Sequence, residues 1–142
     1  MAHDLKMLTR RWFDEVWNKG NTDFIDELLE QDVSATGLSQ GPMKTVSHFK
    51  VFYKMYRDSF SNIQTTVNDC IQEGDKTACH VTFRMKHTGN ALGFPATGKD
   101  VTVEAVILVY WRNGKIYESH NQFDQLGLLR QLGQETRSVT VD

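Results

Sequence analysis

Apolar residues recur at helical spacing three times before the chain turns to alternation. Behind Asp4, a capping residue type, Leu5, Leu8, Trp12 and Val16 share one helical face, which Phe13 and Trp17 widen until Gly20 ends the segment. Asn21-Thr22-Asp23 offers a second cap, and Phe24, Ile25, Leu28 and Leu29 repeat the spacing over a shorter helix. A brief strand is expected at residues 33–36. Gly41-Pro42 then opens a third helix, with proline near the first turn where its missing N–H costs nothing, and Val46, Phe49, Tyr53, Tyr56 and Phe60 lie on one face.

From Ile63 the period changes to two. Ile63, Thr65, Val67, Asp69 and Ile71 are expected on one side of a strand rich in β-branched residues. Residues 77–87 and 101–111 predict two long strands, and a last strand starts after Arg112-Asn113-Gly114. The intervening residues 89–98 carry three glycines and a proline, with Leu92 and Phe94 as apolar anchors, which predicts a loop folded over an opening. Helices that precede an antiparallel sheet define an α+β fold, with the sheet curled around the helical face. The 142 residues suit one domain, with a core over about 5–133 and a tail at 134–142.

The last strand has an unusual pattern. Ile116, Glu118, His120, Gln122 and Asp124 fall on one face and Tyr117, Ser119, Asn121 and Phe123 on the other. A face holding two carboxylates, an imidazole and an amide is expected to point inward as a candidate site. Whether Glu104 shares that face depends on the hairpin. A three-residue loop ending in Gly114 would set Trp111 opposite Lys115, bring Glu104 opposite Gln122, and leave Val101, Val103, Ile107, Val109, Tyr117 and Phe123 as an apolar outer face; a two-residue Asn-Gly loop reverses the parity. The three-residue loop is favoured. Asp124 has two readings: an acid whose pKa a dry pocket raises, or the cap of a short helix from Gln125, which would lower it.

Charge and cysteine content narrow the partners. Sixteen Lys and Arg against eighteen Asp and Glu give a net charge of −2, with the basic residues scattered, so nucleic acid is not an expected partner. Without a signal-like start or an apolar run of about 18 residues, a cytoplasmic protein without a membrane span is expected. Cys70 and Cys79 flank a turn at Gly74-Asp75 that places them opposite each other across a hairpin, where two reduced strand residues are expected. No Cys or His spacing suits zinc, and no metal or organic cofactor is implied.

Several short segments together carry a resemblance. Gly74-Asp75-Lys76, His87-Thr88-Gly89, Gly93-Phe94-Pro95-Ala96-Thr97-Gly98, Gly114-Lys115-Ile116, Asp124 with Gly127, and Gln131-Leu132-Gly133 occur in the order and spacing of the SnoaL-like polyketide cyclases, which the chain resembles from Leu5 to Gly133. That family belongs to the nuclear transport factor 2-like (cystatin-like) superfamily. The resemblance implies a cone-shaped curved sheet, an apolar pocket and a homodimer formed through the sheet. It also implies acid-base catalysis, a cyclisation or isomerisation of a polyketide-like or ring-bearing carbonyl compound, with Asp124 as acid or base; His120, on the same strand face, is the expected supporting donor. Glu104, Gln122, Tyr110, His87, Phe94 and Trp12 complete the expected ligand-binding set. Two departures stand out: family members often carry tryptophan where this chain has His120, and residues 105–110 hold neither the histidine nor the glutamine of the antibiotic cyclases. The alternative is a binding or protein-interaction module of the same fold without catalysis.

Overall fold

The computed structural model describes residues 4–38 and 41–134; of the expected tail at 134–142, residues 135–142 lie outside the described residues. Asp4 accepts a hydrogen bond from the Met7 N–H at 3.1 Å and starts α1 (Leu5–Trp12). The helix then widens into a π-helical segment, Phe13–Asn18, which buries Phe13, Val16 and Trp17 together. Asn18 closes it by clamping Thr65, accepting from its N–H at 2.6 Å and donating to its carbonyl at 3.2 Å. α2 (Asp23–Leu28) runs directly into β1 (Leu29–Thr36), twice the length expected for that strand.

α3 (Val46–Ser59) starts later than Gly41-Pro42 implies. Met43 is extended and bridges Ala35 through two backbone hydrogen bonds, so the helix begins only when the Thr45 hydroxyl accepts from the His48 N–H at 3.1 Å. β2 (Phe60–Glu73), β3 (Lys76–His87), β4 (Asp100–Arg112) and β5 (Lys115–Phe123) follow, and α4 (Gln125–Gln131) ends the domain. The sheet order is β1-β5-β4-β3-β2, with β1 parallel to β5 and the other pairs antiparallel. The helices cover one face of this sheet. Tyr53 donates to the Val16 carbonyl at 2.7 Å and its ring lies 4.9 Å from that of Trp17, tying α3 to the π-helical segment.

Two of the sheet's register shifts correct the simple alternation of inward and outward side chains. In β2 the register shifts between Val67 and Asp69, so Cys70 turns inward while Asp69 and Ile71 turn outward, Ile71 to 64% exposure. Cys70 and Cys79 do pair across the hairpin and are free thiols. Between β4 and β5 the loop has two residues rather than three: Arg112 pairs with Lys115, and Asn113 (φ 54°) and Gly114 (φ 76°) take the left-handed conformation of a type I′ turn. A bulge at Tyr117 then shifts the register, so Tyr110 faces Glu118 and Leu108 faces His120. Even-numbered residues of both strands thus share a face, and Val106, not Glu104, lies opposite Gln122.

That shared even face is the outer one, the reverse of the expected orientation. Val101, Val103, Ala105, Ile107, Val109 and Trp111 are buried against the helices, while Glu104 and Val106 are exposed. The physical reason lies in β4. Burial of each large apolar side chain contributes about 1.5–3 kcal/mol, so its unbroken odd-numbered row dictates the facing, and β5 must present Ser119, Asn121 and Phe123 inward.

Candidate functional site

Between the sheet and the helices lies a cavity of about 90 Å³. At about 10–15 Å³ per water, it has room for roughly half a dozen waters, hence for a single ring or one end of a larger molecule. Trp12, Phe13 and Trp17 wall it from α1 and its continuation, Phe49, Phe52 and Tyr56 from α3, and Phe83, Ile107, Val109 and Phe123 from the sheet. Ring pairs brace these walls: Trp12 with Phe49 at 5.5 Å, Phe52 with Tyr56 at 4.8 Å, and Phe83 with Phe123 at 5.6 Å.

Few polar groups interrupt the walls. The Thr9 hydroxyl is occupied, donating to the Leu5 carbonyl at 2.7 Å, and that of Thr45 serves as a helix cap. Asn121 donates from its amide nitrogen to the Thr36 carbonyl at 2.9 Å and to the Ser119 hydroxyl at 3.1 Å. Burial pushes the Tyr56 phenol up to about 12, so it is a neutral hydroxyl at physiological pH. No Asp, Glu, His, Lys or Arg is among the described residues that line the cavity.

The expected site residues are not gathered there. Of them, Trp12 lines the cavity. Asp124 is exposed and caps α4, its Oδ1 accepting from the Gly127 N–H at 2.9 Å. His120 lies on the outer face, with Nδ1 2.8 Å from the Thr36 hydroxyl and Nε2 2.6 Å from a Glu118 carboxylate oxygen. Glu104 and Gln122 share that face; Glu104 accepts from the Thr82 hydroxyl at 3.1 Å and lies 3.3 Å from His80 Nε2. The Tyr110 ring is beside those of Tyr117 and His120, also outside.

His87 and Phe94 form a separate latch. His87 is fully buried between the rings of Phe60 and Phe94, at 5.4 and 5.3 Å, and its Nδ1 accepts from the Thr97 N–H at 3.1 Å. Burial lowers its pKa. The loop at 89–98 is therefore pinned to the end of β3, and none of its residues lines the cavity. Asn121 and Ser119, with Tyr56, Thr9 and Thr45, are polar lining groups outside the expected set of site residues. The apolar odd-numbered row of β4, carried across the hairpin onto β5, is the signal that points to the first two.

The architecture is that of an α+β cone whose sheet and helices enclose an apolar chamber. The chain belongs to the SnoaL-like polyketide cyclase family, whose model matches residues 7–132. It is similar to the aklanonic acid methyl ester cyclase DauD of Streptomyces sp. (strain C5), 28% identical over 123 residues that cover 84% of this chain and 76% of that protein. DnrD of Streptomyces peucetius, an enzyme of the same name, is 27% identical over 84% of this chain and 85% of its own. Among solved structures, TsrD from Streptomyces laurentii superposes with a TM-score of 0.82 at 21% identity, covering 95% of this chain and 100% of that one, a likeness of fold. Among the described residues no cluster of His, Cys, Asp and Glu could hold a metal ion, and no helix is long and apolar enough to cross a membrane.

Proposed function

We propose that this chain takes one end of a polyketide-like or ring-bearing carbonyl compound into its cavity and promotes ring closure there, working as a homodimer. The observation that carries this reading is the chamber itself: aromatic walls without a charged side chain, in a member of a cyclase family. Such walls exclude water from the reacting end and hold it folded, and effective molarity alone accelerates an intramolecular closure. Asp124 and His120 have no contact with a molecule in this chamber. The chamber's own contribution is therefore to hold the substrate folded for closure and to donate neutral hydrogen bonds to the developing enolate.

The test is incubation of the protein with aklanonic acid methyl ester and with shorter oligoketide esters, followed by chromatography with mass detection. The expected result is a product of unchanged mass and shifted retention, formed faster than in buffer, with quenching of Trp12 and Trp17 fluorescence on binding. A second reading is favoured by the capping role of Asp124 and by the lack of a carboxylate or imidazole in the lining: the same chamber stores or carries its ligand without chemistry. Quenching without isomerisation identifies it. Neither quenching nor product overturns both.

A further inference from the structure

We infer that the cavity selects a neutral ligand in which a hydroxyl stands close to a carbonyl, as in a hydroxy-ketone or hydroxyaryl ketone, and that Asn121 and Ser119 read the two groups. This rests on the reading above of the cavity as a ligand chamber. Asn121 is 6% exposed and lines the cavity. Its amide carries two N–H donors and one oxygen. Thr36 presents a carbonyl, which can only accept, so the amide nitrogen is the atom that faces it, at 2.9 Å. The same nitrogen lies 3.1 Å from the Ser119 hydroxyl. Both amide protons are thereby spent within the protein.

What remains is complementary. Asn121 Oδ1 has no protein partner among the described residues, which leaves it an acceptor for a ligand O–H. The Ser119 oxygen accepts from Asn121, so its own proton is available to a ligand carbonyl. The arrangement is held rigidly, because β1 presses onto β5 just beyond Thr36: a Cβ at Gly37 would fall 1.7 Å from the Asn121 carbonyl oxygen, and Gly37 has φ +85°. A carboxylate ligand would meet Asn121 Oδ1 as a repelling dipole with no cation in the lining to offset it. A ligand lacking the hydroxyl would leave that oxygen unpaired in an apolar site.

The experiment compares toluene, acetophenone and 3-hydroxyacetophenone, each near the size of the cavity, by ligand-observed NMR titration of the full chain. In the wild type the added hydroxyl should tighten binding roughly five- to tenfold over acetophenone, the effect of about one hydrogen bond. In Asn121→Leu the order should reverse, since the hydroxyl then loses its solvation for nothing. Ser119→Ala, a smaller change that keeps the strand pairing, should weaken both ketones by a similar factor and leave toluene unchanged. Toluene binding without any gain from the hydroxyl, or Ser119→Ala leaving the ketones unaffected, overturns the inference while the chamber reading stands. Failure of all three probes to bind the wild type overturns the chamber reading and the inference with it.

Discussion

Three neighbouring side chains of β5 divide along the pleat, and the division separates structural from chemical roles. Asn121 turns into the cavity, whereas His120 and Gln122 turn out. Asp124, just past the strand, caps α4 and positions Leu128 and Leu132, which are almost fully buried. Asp124→Ala should therefore lower the stability by about 0.5–2 kcal/mol, while Asp124→Asn, which keeps a capping oxygen, should change it little. Urea denaturation measures both, and the binding of acetophenone should be unchanged in either. Loss of turnover in a fully stable Asp124→Asn would instead make the carboxylate a participant in the chemistry. Sequence reading identified both roles open to Asp124 and could not choose between them. The choice depends on whether β5 ends facing the cavity or the solvent, and that is fixed by one inserted residue, Tyr117.

The helices, strands and their order were legible because their hydrophobic periods are long and consistent, from Leu5 to Val16 and from Val101 to Trp111. Bulges leave no such trace. Tyr117 and the Val67/Asp69 shift each slip the register by one position, and one position exchanges the two faces of a strand. Loop 89–98 shows a different limit: Phe94 was recognised as an anchor, but its partner, the His87 ring, could be found only in three dimensions. That latch has a pH dependence. Burial lowers the pKa of His87 below its ordinary 6.5, and the proton that Nδ1 would take displaces its bond from the Thr97 N–H. Because the unfolded chain binds this proton more readily, the contribution is intact above about pH 6.5 and declines as the pH falls below it, by up to about 1.4 kcal/mol per unit. Urea midpoints at pH 7.5 and 5.5 should drop further in the wild type than in His87→Gln. Equal drops would show that His87 is not the group responsible.

At the scale of the whole molecule, the facing of the sheet moves the expected dimer surface. Val101, Val103, Ile107 and Val109 are spent on the core and cannot serve it. The outer face offers another set. Ile71, Ala78 and Leu108 lie in one row across β2, β3 and β4, and Val106, 55% exposed, lies in the next row beside His80. Asp69, His80, Glu104 and Gln122 border this apolar centre with polar groups, the apolar core and polar rim that a two-fold self-contact uses. This is the face through which the proposed homodimer would form, and the cavity, on the opposite side of the sheet, would stay free in it. Light scattering coupled to size exclusion should give twice 16.3 kDa for the wild type. Val106→Glu should shift the mass toward 16.3 kDa while leaving acetophenone binding intact, because Val106 points away from the chamber. A wild type that elutes at 16.3 kDa at every concentration would dispose of the dimer and leave the chamber, with Asn121 and Ser119 in its wall, to be judged on its own ligands.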